Sequence, residues 1–92
     1  SLDLVFMSNT YPYLRDRVAY LRRVRATLKP GGRLALISFH PDAKPPDASA
    51  TDPKHRVSRE QTIAEASQAG FVLDREETFL PYQFFLIFKA SP

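Results

Sequence analysis

The 92-residue sequence predicts an α/β domain built on a four-stranded mixed sheet, and three observations support this. Two apolar runs, at residues 2–7 and 34–39, are typical of strands that are covered on both faces. Apolar residues at helical spacing lie between them, which gives a strand–helix–strand unit with parallel strands. A second helix and two further strands complete the chain. We therefore expect three parallel strands, an interior antiparallel last strand, and two main helices on one face.

The first helix is predicted from one apolar stripe at spacings of three and four residues. The stripe is formed by Leu14, Val18, Leu21, Val24 and Leu28. The sequence KPGG at residues 29–32 should stop this helix, because proline cannot continue it and glycine permits positive φ. The second strand follows directly at residues 34–39.

The second half of the chain begins with a polar, proline-rich stretch at residues 40–57, which is long for a loop in a compact domain. Ser58 and Gln61 then fit a capping box, and Gly70 is placed to end the helix. Strands are expected at residues 71–80 and 82–89, joined tightly around Pro81. The first is polar on both faces and should be an edge strand, whereas the second is apolar and should be interior.

Composition excludes several classes of function. The sequence has no cysteine and a net charge of +3, and no apolar run approaches the roughly 20 residues of a membrane span. The N-terminus shows no secretory pattern, so we expect a cytoplasmic globular protein without a membrane partner. Arg15, Arg22 and Lys29 recur along one helix flank, but no aromatic residues interleave with them. They predict a solvated flank and no nucleic-acid partner.

Four short motifs carry a family resemblance. They are LDLVF at residues 2–6, LKPGGRL at 28–34, AGF at 69–71 and FLPYQFF at 79–85. In this order they resemble the C-terminal half of class I S-adenosylmethionine-dependent methyltransferases of the bacterial small-molecule type. The resemblance implies a partial Rossmann-like fold, with residues 1–92 as a single partial domain. It also implies methyl transfer from S-adenosylmethionine to a small molecule.

The resemblance also shows what this sequence lacks. The family binds its cofactor through a glycine-rich turn in its N-terminal half, whereas this chain has only Gly31, Gly32 and Gly70 and no G-x-G. We expect the isolated chain to bind S-adenosylmethionine very weakly or not at all. Two functions follow: a methyltransferase portion that is inactive alone, or a non-catalytic assembly or partner module. In either case, a second copy of the chain or a separate N-terminal half should cover the exposed edge and face of the sheet.

The candidate site residues lie where the first two strands end and where the last strand begins. By resemblance, Met7, Ser8 and Asn9 border the methionine part of the cofactor, although polar capping of a strand end is the alternative. Substrate contacts are expected from Tyr11, His40 and Tyr82, with structural roles as the alternative. The sequence assigns no catalytic residue. It predicts no metal site, because its two histidines have neither cysteines nor i, i+4 spacing beside them.

Overall fold

The computed structural model describes residues 2–46 and 53–92. The described residues form strand β1 (Leu2–Ser8), helix α1 (Arg17–Thr27), strand β2 (Leu28–Phe39), helix α2 (Arg59–Gln68), strand β3 (Phe71–Glu77) and strand β4 (Gln83–Ala90). Short 3-10 turns lie at Tyr11–Tyr13 and Pro53–His55. The predicted long loop at residues 40–57 includes residues 47–52, which lie outside the described residues.

The four strands form one sheet in the order β1-β2-β4-β3. Strand β1 is parallel to β2, and β4 is antiparallel to both of its neighbours, β2 and β3. Three strands therefore run in one direction, while the last strand runs against them inside the sheet. This confirms the predicted mixed sheet, and it confirms β3 as an edge strand.

Helix α1 is shorter than its apolar stripe predicted. Pro12 lies in the 3-10 turn, and Leu14 is extended, so the helix begins only at Arg17. The carboxylate of Asp16 caps it by accepting a hydrogen bond from the Ala19 amide at 3.1 Å. Leu14 lies outside the helix but still packs on the core.

The KPGG segment was predicted to be a helix stop, but it belongs to β2. Leu28 is already extended and pairs with Leu2, and the register shifts before Leu4 pairs with Arg33. Gly32 makes this irregularity possible, because a Cβ there would lie 3.1 Å from the carbonyl oxygen of Leu2. The segment is thus a bulge that starts a strand.

Helix α2 begins as predicted, but its capping box is only half formed. The Ser58 hydroxyl accepts a hydrogen bond from the Gln61 amide at 3.0 Å. The Gln61 side chain does not reach back, because its Nε2 donates to Glu65 at 3.0 Å. Strand β3 ends at Glu77, earlier than predicted, so residues 78–82 form a wider connection to β4.

Both helices pack on one face of the sheet, and α1 contacts α2. Alternate residues of β2 and β4 are buried beneath them: Leu34, Leu36, Phe84, Leu86 and Phe88. On β1, only Val5 and Met7 join this core, whereas Leu4 and Phe6 are 56% and 57% exposed. In this chain, β1 is therefore covered on one face only, which agrees with the expected exposed face of the sheet.

Candidate functional site

The candidate site lies at the carboxyl ends of β1 and β2, which are adjacent and parallel. Ser8 pairs with Ile37, and the Asn9 amide donates to the Ile37 carbonyl at 2.8 Å. Open α/β sheets bind ligands in the crevice outside such strand ends. The parallel register thus brings the segment after β1 beside the segment after β2.

Asn9 is held in an unusual conformation by a residue from β4. It is the one non-glycine residue with positive φ (60°) among the described residues. The Gln83 Nε2 group donates a 2.7 Å hydrogen bond to the Asn9 Oδ1 atom. Asparagine tolerates the left-handed region better than most residues, and such conformations cluster at functional sites. No local sequence pattern indicates that these two residues meet, because they are 74 residues apart.

His40 and Tyr82 meet through their backbones. The His40 amide donates to the Tyr82 carbonyl at 3.0 Å, which extends the pairing of β2 with β4. The His40 imidazole packs edge-on against Phe84, with ring centroids 5.4 Å apart. Tyr82 remains partly exposed at the start of β4. Of the predicted substrate residues, these two therefore lie next to the Asn9–Gln83 pair.

Arg56 holds the segment that follows β2. Its Nη1 atom donates to the carbonyl oxygens of His40 (3.1 Å) and Ala43 (2.5 Å). Its guanidinium carbon also lies 5.1 Å from the centroid of the Phe39 ring. These contacts place an arginine, which the sequence did not single out, beneath the turn that leads away from the site.

Met7 and Tyr11 point into the core rather than toward the edge of the sheet. Met7 is buried between the sheet and the helices, and no surface of Tyr11 is exposed. The Tyr11 hydroxyl donates to Glu65 Oε1 at 2.6 Å. Burial, together with this hydrogen bond, raises the pKa of the Tyr11 hydroxyl. The substrate role of Tyr11 stays a prediction, while its contacts anchor the loop after β1.

Glu65 is the centre of this anchor. Arg17 donates to both of its carboxylate oxygens, with Nε at 2.7 Å and Nη2 at 2.9 Å. These hydrogen bonds, outweighing the desolvation of the carboxylate, lower the pKa of Glu65 to about 2. The ionised carboxylate therefore joins the turn after β1, the start of α1 and the middle of α2.

The arginines of α1 bind neighbouring backbone. Arg22 donates to the Gln68 carbonyl at 3.4 Å, and Arg25 donates to the carbonyls of Gly70 and Ser91 at 2.9 and 3.2 Å. They tie α1 to the turn between α2 and β3. Of the predicted flank, Arg22 is thus used in a contact within the chain, while the absence of a nucleic-acid partner stays a prediction.

Among the described residues, two concavities lie away from the candidate site. One, of about 290 Å³, is a groove between β1 and α1 lined by Leu2, Val5, Tyr20, Arg23, Val24 and Thr27. The other lies at the amino end of β2, beside Gly31, Arg33 and Lys89. Within residues 2–46 and 53–92, no cluster of three potential metal ligands occurs, and no helix is long and apolar enough to cross a membrane.

Comparison with solved structures shows which known proteins share this fold. No family model and no curated protein matches the sequence. A type 11 methyltransferase from Sulfolobus solfataricus superposes with a TM-score of 0.81 at 21% identity, covering 100% of this chain and 52% of that one. A SAM-dependent methyltransferase from Aquifex aeolicus gives 0.83 at 21% identity, covering 95% and 45%. The O-methyltransferase NcsB1, solved with S-adenosylhomocysteine and 1,4-dihydroxy-2-naphthoic acid, gives 0.75 at 18% identity, covering 96% and 29%.

The chain therefore has the fold of part of a class I methyltransferase, and it spans about half the length of the first two of these structures. This agrees with the expected partial Rossmann-like fold. At these identities, the likeness establishes the fold, whereas cofactor, substrate and reaction are matters of proposal.

Proposed function

We propose that this chain is the C-terminal portion of an S-adenosylmethionine-dependent methyltransferase that acts on a small molecule in the cytoplasm. The observation that carries the proposal is the methyltransferase-like fold with Asn9, His40 and Tyr82 gathered at the carboxyl edge of the sheet. Methyl transfer depends mainly on aligning donor and acceptor, so a site without an obvious acid–base pair is compatible with it. Ser8 and Asn9 would face the methionine part of the cofactor.

The chain needs a complement to complete such a site. Gly31 and Gly32 lie in the bulge of β2, and Gly70 ends α2, so none of the three glycines forms a cofactor loop after a strand. The groups that would hold the nucleoside must come from elsewhere. We infer that full activity requires a segment that carries a glycine-rich turn.

The two edges of the sheet indicate where that segment docks. Charged side chains on β3 disfavour pairing with a further strand. Asp74 forms ion pairs with Arg33 and Lys89, and Arg75 forms one with Glu77. A bulge after Leu73 adds to this protection. Strand β1 carries exposed apolar side chains instead, among them Leu4 and Phe6. These features favour extension of the sheet at β1 rather than at β3.

Three uncovered surfaces meet at β1. They are the unpaired N–H and C=O groups of its outer edge, the apolar groove toward α1 that includes Val5 and Val24, and the far face that carries Leu4 and Phe6. A second copy that paired edge to edge would leave the far face bare, while a copy packed face to face would leave the edge unpaired. A segment that adds both a strand beside β1 and a helix over the far face covers all three. We therefore favour an N-terminal half over a homo-oligomer as the partner.

The cofactor proposal is tested by NMR titration of the chain with S-adenosylmethionine up to millimolar concentration. We expect weak shifts confined to Ser8, Asn9, His40 and Tyr82. Adenosine serves as the control ligand, because it lacks the methionine part. If no resonance moves even when a segment with a glycine-rich turn is co-expressed, or if the shifts lie at the amino ends of the strands, the chain is better described as a non-catalytic assembly module.

The partner proposal is tested independently of cofactor binding. An in-frame strand followed by G-x-G, encoded just upstream of the codon for Ser1, would identify the complement. Co-expressing that segment with this chain should protect the β1 amides from hydrogen exchange. A discrete, stable homodimer that protects the same amides without the segment would contradict the proposal.

A further inference from the structure

We propose that Gln83 is a positioning residue that fixes the Asn9 side-chain amide, so that its Nδ2 group is presented to the carboxylate of the bound cofactor. This inference rests on the proposed function, and it assigns a role to Gln83 and an orientation to Asn9. The two side chains are joined by a hydrogen bond in which Gln83 Nε2 donates to Asn9 Oδ1 at 2.7 Å.

The orientation of the Asn9 amide follows from its partner. Because Gln83 offers a donor, the Asn9 carbonyl oxygen is the atom that turns toward it. The Asn9 Nδ2 group is then directed elsewhere, and no described residue accepts a hydrogen bond from it. Two N–H donors thus remain available on a half-buried side chain at the carboxyl edge. Such donors suit an acceptor such as a carboxylate oxygen.

The backbone around the pair limits movement of this donor. The Asn9 amide is bound to the Ile37 carbonyl at 2.8 Å, and φ at Asn9 is 60°. Gln83 is itself in register with Phe39 at the start of β4. Both residues are therefore held by the sheet, and the pair links β4 to the end of β1 across the end of β2. A donor fixed in this way loses little conformational freedom when a ligand binds.

Two variants separate this role from a purely structural one. Asn9→Gly keeps the left-handed backbone accessible but removes the donors, and Gln83→Met removes the group that orients them. Gln68→Met is the matched control, since Gln68 is an exposed residue of α2 with no contact to the pair. The ligands are S-adenosylmethionine and decarboxylated S-adenosylmethionine, a pair that differs in the carboxylate.

The readout is the ratio of the two dissociation constants, measured by NMR titration of the whole chain. Loss of one hydrogen bond changes affinity by about fivefold, so the natural chain should prefer S-adenosylmethionine by about that factor. We expect the preference to vanish in Asn9→Gly, to fall by about half or more in Gln83→Met, and to persist in Gln68→Met. A general distortion of the fold would weaken the binding of both ligands alike, so the ratio of their dissociation constants would not change.

The outcomes distinguish this inference from the proposed function. If S-adenosylmethionine binds at the carboxyl edge but the ratio is the same in Asn9→Gly, the inference is overturned while the proposed function stands. If neither ligand moves any resonance, in the chain alone or co-expressed with a segment that carries a glycine-rich turn, both are overturned. The side-chain amides supply a second check: the Gln83 Nε2 protons should exchange slowly, and the Asn9 Nδ2 protons should shift on binding. Slow exchange at Asn9 Nδ2 in the free chain would contradict the proposed orientation.

Discussion

Replacing Glu65 by Gln is expected to destabilise the fold by about 2 kcal/mol at neutral pH. The carboxylate accepts hydrogen bonds from Tyr11, Arg17 and Gln61, and only 13% of its side chain is exposed. Its pKa is lowered from 4.5 to about 2, which corresponds to roughly 3 kcal/mol in favour of the ionised form in the folded state. A neutral amide of similar size keeps some of these hydrogen bonds, so the expected loss is smaller than this value.

The lowered pKa of Glu65 also determines how the free energy of unfolding depends on pH. Because folding lowers the pKa of Glu65, its contribution is fully present above about pH 4.5 and is lost as the pH falls toward 2. At pH 3, roughly 1 kcal/mol of the contribution should remain. The natural chain and the variant Glu65→Gln should therefore differ clearly at pH 7 and much less at pH 3.

Urea unfolding followed by far-UV circular dichroism at both pH values measures these differences. Two protein concentrations should be used, so that association does not enter the comparison. Glu60→Gln is the matched control, because Glu60 lies on the same helix with 78% of its side chain exposed and should change stability by less than about 0.5 kcal/mol. The reasoning is refuted if Glu65→Gln matches Glu60→Gln at pH 7, or if its deficit is equally large at pH 3.

Three further expectations concern other parts of the fold. The isolated chain should associate at high concentration without fixed stoichiometry. Because Phe6 is 57% exposed on the apolar far face of β1, Phe6→Lys should reduce this association far more than Val72→Lys at the polar β3 edge. Sedimentation velocity measures the difference. Gly70→Ala should lower the free energy of unfolding by about 1–2 kcal/mol, because φ at Gly70 is +92° and the new Cβ would lie 2.8 Å from the Arg25 side chain. Unchanged stability in urea titrations would contradict this. Arg59 Nη2 lies 2.6 Å from the Glu76 carboxylate and lowers its pKa, so Arg59→Ala should raise this pKa toward its ordinary value. An NMR titration curve of Glu76 that does not move would disprove the contact.

Much of the fold could be predicted from local sequence because the responsible forces are local. Continuous apolar runs predicted β2 and β4 as inner strands, and the polar pattern of residues 71–80 predicted an edge. Ser58 marked the start of α2, since a hydroxyl can accept from an amide three residues later. The errors arose where two local signals competed. The KPGG segment can end a helix or form a bulge, and it forms a bulge here because it pairs with β1.

The candidate site was predicted only in part. The sequence placed Asn9, His40 and Tyr82 at strand ends, which follows from counting residues along each apolar run. It did not pair Gln83 with Asn9, and it did not identify Arg56 or the network around Glu65. Nor could it show that Tyr11 is fully buried, because a tyrosine in a polar segment has the same local signature whether it is buried or exposed.

The sequence by itself determined the class of fold, the order of the strands and the lack of a glycine-rich cofactor loop, since these depend on periodicity, on crossover handedness and on residues that are either present or absent. Tertiary structure alone decided which polar side chains meet. Asn9 finds Gln83 across 74 residues, and Tyr11 finds Glu65 across 54. Such pairs form because a buried or half-buried polar group requires a partner, and only the packed sheet and helices decide which partner lies within reach.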